Sequence, residues 1–298
     1  MPSPVILEAA VNGATPRSVN PHVPRTPDEI AADILSCVEG GASIAHNHND
    51  EPMFTADGVH AVEPYVAAWA PVLERHPDLL LYPTMAAGAR GIPVERRWGH
   101  VEELARRGLG GLSLVDPGSV NVGLLADGTI ADTAAAQPYQ NSHADTEHMV
   151  ARCVEHGTGA SVSIFDPSFL RTALTLHRHG RLPRGSIVKL YFGGELEFGL
   201  PPTERALEAY VEMLEPSGLP WSVAVLGGDV LGSGLAELAL ARGGHVRVGL
   251  EDWAGPRTGT DAPTNRELVD AAVALLHRVG RRPATPAEAR ALLGLPAR

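Results

Sequence analysis

Two histidines separated by one residue close a short apolar run, in Ala45-His46-Asn47-His48-Asn49-Asp50. If that run is a strand, side-chain alternation turns both imidazoles to the same face. There they can hold one divalent metal; the alternative is one core and one surface histidine beside a polar turn. A second polar set closes another run, His245-Val246-Arg247-Val248-Gly249-Leu250-Glu251-Asp252. Alternation puts Arg247, Gly249 and Glu251 on one face, with Gly249 leaving room between two charged groups. Two histidines and one carboxylate leave coordination positions open, as a catalytic zinc or similar metal requires. The plain structural alternative for Arg247 and Glu251 is an internal ion pair.

Lys189 is the single lysine of the chain and lies within an apolar run, Ile187-Val188-Lys189-Leu190-Tyr191-Phe192. Glu8, in Leu7-Glu8-Ala9-Ala10, is an equally unusual carboxylate within a run. The two can neutralise each other inside the protein; the functional alternative for Lys189 is a Schiff-base amine with a depressed pKa. Gly193-Gly194 and Gly227-Gly228-Asp229 can serve as turns or admit a phosphate or pantetheine chain. The sequence has no P-loop, no G-x-S-x-G elbow and no well-placed dinucleotide fingerprint. Cys37 and Cys153 suggest neither a disulfide framework nor a thiolate zinc site.

These residues need elements to position them. Apolar runs at 5–11, 42–48, 79–84, 111–115, 160–165, 186–192, 221–226 and 245–250 read as eight strands. Amphipathic segments at 26–40, 59–75, 94–107, 143–156, 167–179, 203–214, 234–242 and 265–279 alternate with them as helices, and a further helix starts at Thr285. Thr26-Pro27-Asp28-Glu29 and Thr264 with Glu267 are capping boxes. Residues 116–142 read as a long loop. Eight strands alternating with eight helices, without a linker-like break, predict one (β/α)8 TIM barrel over residues 1–298 with an extra C-terminal helix. In such a barrel the eighth strand neighbours the first, and the second lies just beyond. Glu251 can then reach toward His46 and His48 at the mouth where strands end.

The 298 residues carry 24 basic and 35 acidic side chains, a formal net charge of −11. That balance disfavours nucleic acid or an anionic membrane as main partner. No apolar run approaches the roughly 20 residues of a membrane span, and the first residues lack a signal-peptide pattern, so a cytoplasmic location is expected.

With these residues assembled, the chain resembles the β-keto acid cleavage enzymes, which include the member that cleaves 3-keto-5-aminohexanoate. The resemblance rests on Ala9-Ala10-Val11-Asn12-Gly13-Ala14, on Asn20-Pro21-His22-Val23-Pro24-Arg25-Thr26-Pro27, on Gly41-Ala42 leading to His46-x-His48, and on Gly118-Ser119-Val120-Asn121. It extends through Gly243 to Asp252 and the ending from Ala284 to Leu295, and so spans nearly the whole chain. It implies a zinc-dependent (β/α)8 barrel, usually a homotetramer, that converts a β-keto acid and acetyl-CoA into acetoacetate and a new acyl-CoA. It assigns His46, His48 and Glu251 to the metal, Arg247 and Asp252 to catalysis, and Asn12, Thr84, Ser113 and Asp116 to substrate binding. In this reading the metal polarises the keto oxygen, Asp252 removes a proton from the carbon between ketone and carboxylate, and Arg247 steadies negative charge or orients Asp252.

Some positions depart from the family pattern. Thr84-Met85-Ala86-Ala87 stands where the family has Ser-Thr-Gly-Gly, and Asp116 where Asn is common. Leu114 replaces a Thr, Thr15 replaces a Glu that holds the substrate amine, and strand five offers Ser161 and Ser163 where the aminohexanoate enzyme has a Glu. The expected substrate is therefore a neutral or anionic β-keto acid. Two rival readings are a metal-dependent aldolase or lyase acting on a keto acid without CoA, and a ligand-binding barrel without catalysis.

Overall fold

The computed structural model describes residues 3–52, 57–87, 91–126, 129–131, 138–256 and 262–298. Eight parallel strands form its centre: β1 (Leu7–Ala10), β2 (Ile44–Asn47), β3 (Leu80–Pro83), β4 (Leu112–Val115), β5 (Gly159–Ile164), β6 (Ile187–Gly193), β7 (Trp221–Leu226) and β8 (His245–Val248). They pair in the order β3-β2-β1-β8-β7-β6-β5-β4. A single parallel bridge between Leu81 and Gly111 brings β3 to the start of β4, so the sheet rolls into a nearly closed TIM-like barrel. The predicted adjacency holds: β1 lies between β2 and β8.

The helices around the barrel are α1 (Pro27–Gly40), α2 (Glu63–Arg75), α3 (Gly99–Arg106), α4 (His143–His156), α5 (Pro167–Arg178), α6 (Glu204–Leu214), α7 (Leu235–Ala241), α8 (Asn265–Arg278) and α9 (Pro286–Leu293). Local chemistry starts them. Thr26, Ser142, Thr264 and Thr285 each form a complete capping box, satisfying two otherwise orphaned N–H groups. Helix α2 starts only at Glu63, which leaves Pro64 in the first turn where its missing N–H costs nothing. The helix expected over 94–107 is broken: a short turn, Val94–Arg97, ends at Trp98, whose buried indole donates to the Leu114 carbonyl at 2.8 Å. The expected loop 116–142 also carries strands. Gly123–Ala126 pairs antiparallel with Thr129–Ile130 and with Leu196–Glu197 beyond β6.

The apolar core lies between strands and helices. Trp69, Phe169, Val188, Leu190, Phe192 and Val223 are buried there. The barrel interior is different. Parallel partners share a face, so the pairs Glu8–Arg247, Ala10–His46, His46–Tyr82, Ser163–Lys189 and Ser222–Lys189 line one continuous inner surface. A barrel interior is commonly filled with bulky aliphatics. Here charged and hydroxyl side chains occupy it, and at buried cost they must satisfy one another. No helix among the described residues is long and apolar enough to cross a membrane.

Candidate active site

His46 sits on β2, held by the sheet ladder; His48 and Glu251 lie just past the ends of β2 and β8. Their three ligand atoms fall within 4.8 Å of one another. His46 Nε2 is 3.1 Å from Glu251 Oε2, and His48 Nε2 is 3.7 Å from Glu251 Oε1. His46 Nδ1 donates to the Tyr82 carbonyl at 3.1 Å, which leaves Nε2 as a lone pair. Burial drives the His46 pKa down to about 4, so the ring is neutral. A bare imidazole lone pair then faces a carboxylate oxygen, Glu251 Oε2, that has no hydrogen-bond partner among the described residues. Two electron-rich atoms held this close call for a cation between them, and two imidazoles with one carboxylate suit a divalent transition metal. Burial alone would raise the Glu251 pKa, but the fixed charge of Arg247, 2.9 Å away, helps hold the carboxylate well below its ordinary value.

Gly13 leaves the space that the Glu251 side chain fills, and Gly249 lets its own backbone pass close to Ala10 on the way there. Gly249 has φ of +149°, and a Cβ there would collide with the Ala10 backbone. Gly13 has φ of +53°, and a Cβ there would overlap the Glu251 side chain.

Below the trio lies a closed ionic network centred on Arg247. Its Nε and Nη2 donate to both Asp252 carboxylate oxygens at 2.9 and 2.7 Å. Nη2 also lies 2.9 Å from Glu251 Oε1, and Nη1 donates to Glu8 Oε1 and the Tyr82 hydroxyl, each at 3.0 Å. Tyr82 OH donates to Glu8 and accepts from Lys189 Nζ at 2.6 Å. Lys189 Nζ is 3.9 Å from Glu8, so both halves of the expected Glu8–Lys189 pair are present, with Tyr82 and Arg247 joining them. Burial pushes the Lys189 pKa down to about 8, against the opposing pull of Glu8. Burial likewise pushes Asp252 up to about 6, with Arg247 opposing. A carboxylate in that range is matched to proton transfer near neutral pH.

Removing Lys189 should show what the network contributes to folding. Lys189→Met is expected to destabilise the protein by about 3 kcal/mol, the lower end for a broken buried pair because Arg247 still serves Glu8. The urea midpoint measures this, and Lys189→Met/Glu8→Gln is expected to recover most of the loss. An unchanged midpoint in the single variant would show that the pair contributes nothing.

The four positions carried over for substrate binding separate. Thr84 is buried near the barrel mouth, and among the described residues its hydroxyl has only a 3.5 Å contact to the Met85 carbonyl. Asp116 faces inward; its Oδ2 accepts from Tyr139 OH, Ser163 bonds it too, and its Oδ1 has no partner among the described residues. Burial raises its pKa, with the Tyr139 and Ser163 bonds opposing. Ser113 is not brought to this group. Its hydroxyl pairs with Thr158 at 2.9 Å, close to Cys153 of α4, on the helix side of β4. Asn12 is near the trio, but all its hydrogen-bonding capacity goes to backbone groups. Thr15 turns its hydroxyl to the Leu250 carbonyl at 2.8 Å. The Gly227 and Gly228 N–H groups, read as a possible anion cradle, instead donate to the Asp252 carbonyl at 2.8 and 3.2 Å.

Sequence reasoning missed two residues. Tyr82 joins Glu8, Lys189 and Arg247 through its hydroxyl and stacks on His46, ring centroids 4.4 Å apart. Its parity with Thr84 along β3 was the available signal. Asn265, in the first turn of α8, reads as an ordinary polar helix start, yet it bonds the backbone beside Glu251.

Comparison with known proteins adds to this geometry. The family described as beta-keto acid cleavage enzyme matches residues 4–295. A 3-keto-5-aminohexanoate cleavage enzyme of Fusobacterium nucleatum is 29% identical over 294 residues, covering 98% of each chain. A 3-oxoadipate:acetyl-CoA acetyltransferase of Cupriavidus necator is 29% identical over 304 residues, covering 99% of this chain and 96% of its own. Among solved structures, ObcA in a ternary complex with a C4-CoA adduct and oxalate is similar in fold, with a TM-score of 0.72 at 20% identity, over 92% of this chain and 68% of that one.

Proposed function

This chain belongs to the β-keto acid cleavage enzyme family, and from that premise we propose that it is a zinc-dependent transferase that condenses a β-keto acid with acetyl-CoA, giving acetoacetate and a new acyl-CoA. The observation that carries this reading is the cation-ready trio of His46, His48 and Glu251 directly beside the Arg247–Asp252 pair. Relatives named as acetyl-CoA transferases support acetyl-CoA as second substrate.

His46, His48 and Glu251 would hold the ion, and an N2O donor set with open positions suits zinc. When bound, such an ion supplies Lewis-acid polarisation of a substrate carbonyl. The chain's own residues do the rest. Asp252 removes a proton from the carbon between the ketone and the carboxylate. The resulting electron pair attacks the acetyl thioester carbonyl, and CoA thiolate leaves. The thiolate then attacks the original keto carbon, the adjacent C–C bond breaks, and Asp252 returns its proton to the acetoacetate carbanion. Atoms balance: the acyl group leaves on CoA and the acetyl group stays on the former C2. Arg247 keeps Asp252 oriented through two bonds and places fixed positive charge beside the negative charge that develops. Thr84, with its lightly engaged hydroxyl, would receive the substrate carboxylate.

The pocket favours a substrate without positive charge. Glu8 is already neutralised by Arg247 and Lys189. Asp116 has its pKa raised by burial, and Thr15 is turned to backbone. A substrate ammonium would find no dedicated carboxylate pair there among the described residues. The test is a panel of β-keto acids with acetyl-CoA, measuring acetoacetate. Uncharged or anionic acids are expected to outpace an aminated acid of equal length by at least about tenfold, about 1.4 kcal/mol at the transition state. Cleavage of the keto acid at full rate without acetyl-CoA would replace this reading with that of a lyase. Preference for the aminated acid would overturn the charge argument alone.

A further inference from the structure

We infer that two buried asparagine amides, Asn12 just past β1 and Asn265 in the first turn of α8, set the distance between His48 and Glu251, and so act as positioning residues for the cation. This rests on the ligand-trio part of the proposed function and is independent of the substrate.

The three ligands are not held alike. His46 lies inside the ladder, paired with Ala10 and Tyr82, and its ring is fixed by the Tyr82 carbonyl. His48 and Glu251 follow strands that end at Asn47 and Val248, so regular strand pairing sets neither of them. The last β1–β2 bond of that kind runs from Val11 N to the His46 carbonyl at 3.0 Å. Beyond it, the Asn12 side chain takes the place of a strand neighbour. Its Oδ1 accepts from His48 N at 2.8 Å, and its Nδ2 donates to the His48 carbonyl at 2.9 Å. The remaining amide proton goes to the Pro24 carbonyl at 3.1 Å, and Oδ1 also accepts from Gly13 N at 2.9 Å. Both donors and both acceptor positions of this buried amide are thereby used on backbone. It grips His48 by both peptide groups and has nothing left for a substrate.

Asn265 does the same on the other side. Its Oδ1 accepts from Leu250 N, the residue before Glu251, at 2.8 Å. Its Nδ2 donates to the Val11 carbonyl at 2.6 Å and to Asp33 Oδ2 on α1 at 2.5 Å. Glu251 N itself donates to the Ala10 carbonyl at 3.2 Å. Residues Val11 and Asn12 thus form a common post. One amide ties His48 to it, and the other ties the approach to Glu251. The gap in which the ion must fit is the sum of these two attachments, and it is set before any ion arrives. Such outer groups typically contribute about 10–100-fold to metal affinity.

The experiment uses full-length protein stripped of metal, titrated with Zn2+ against a chromophoric chelator at a temperature where every variant is folded. The variants are Asn12→Asp and Asn265→Asp, which keep shape and an acceptor but lose the amide donors. Each is expected to bind Zn2+ about 10–100-fold more weakly than wild type, and the visible bands of the Co2+-loaded variants are expected to shift. A purely structural role would lower the thermal midpoint of the metal-free protein and leave Zn2+ affinity and the Co2+ spectrum unchanged; that result overturns the inference. If an Asp variant does not fold, Asn12→Ser or Asn265→Ser, which introduces no charge, is read by the same criteria. A wild-type protein that binds no Zn2+ would remove the trio itself, whereas equal binding by wild type and variants would remove the asparagine clamp alone.

Discussion

His46→Ala/His48→Ala is expected to purify folded and without zinc, while the wild-type protein carries about one equivalent per chain. The variant loses two of the three ligands, and a lone carboxylate does not retain a borderline-soft ion against dilution and buffer. The fold should survive. Both imidazoles lie at the mouth of the barrel, and Glu251 keeps its 2.9 Å contact with Arg247 when they are gone. Truncating the His46 ring also removes the close approach of its bare nitrogen to Glu251 Oε2, an unfavourable contact in the metal-free protein. Metal analysis after exchange into chelator-free buffer, with circular dichroism as the folding control, measures both expectations. Turnover should fall below detection, because carbonyl polarisation and ligand orientation are lost together. Near-stoichiometric zinc in the double variant would place the ion elsewhere.

Much of this arrangement is written in local sequence. Thr26-Pro27-Asp28-Glu29 specifies a helix start because a side chain and a backbone amide three residues apart satisfy each other, and α1 begins there. Ser142 and Gly157 bracket α4 for the same kind of reason, with Gly157 in the left-handed conformation that ends it. The candidate trio was legible in the spacing of His46 with His48 and of Arg247 with Glu251, although strand parity governs only His46 and Arg247, because His48 and Glu251 lie past the ends of β2 and β8. Parity was also available against Ser113. It lies three residues before Asp116, so the two cannot both point inward, and the structure turns Ser113 to Thr158. What local sequence does not encode is pairing at a distance. Gly123–Ala126 pairs not only with its neighbour Thr129–Ile130 but also with Leu196–Glu197, more than 70 residues later in the numbering. Tyr82 and Asn265 belong to the same class. Each reads as an unremarkable member of its element, and its role comes from partners brought in by barrel closure, such as Lys189 and Arg247 for Tyr82 and Val11 for Asn265.

The second large effect is expected at Asp252. Asp252→Asn should keep its zinc and its fold and lose about 10²–10⁴ in kcat, the usual contribution of a general acid–base group. Three features of the site argue that the loss will be chemical and not structural. The main chain at Asp252 is anchored independently of the side chain, since its carbonyl accepts from Gly227 N at 2.8 Å and Gly228 N at 3.2 Å. The substitution strands no charge: in the native cluster Glu8, Glu251 and Asp252 face Arg247 and Lys189, and removing one carboxylate leaves two of each sign. Finally, Arg247 remains held by Glu8, Tyr82 and Glu251. One arm of the bidentate pair is lost, because the new amide nitrogen meets an Arg247 donor, so a modest drop in urea midpoint is expected alongside the kinetic one. The two effects separate in the kinetic constants. Loss of the base lowers kcat with KM nearly unchanged, whereas a collapsed pocket would raise KM as well. An Asp252→Asn protein with one equivalent of zinc and near wild-type turnover would show that a different group moves the proton, and the Arg247–Asp252 pair would then be a purely electrostatic support for Glu251.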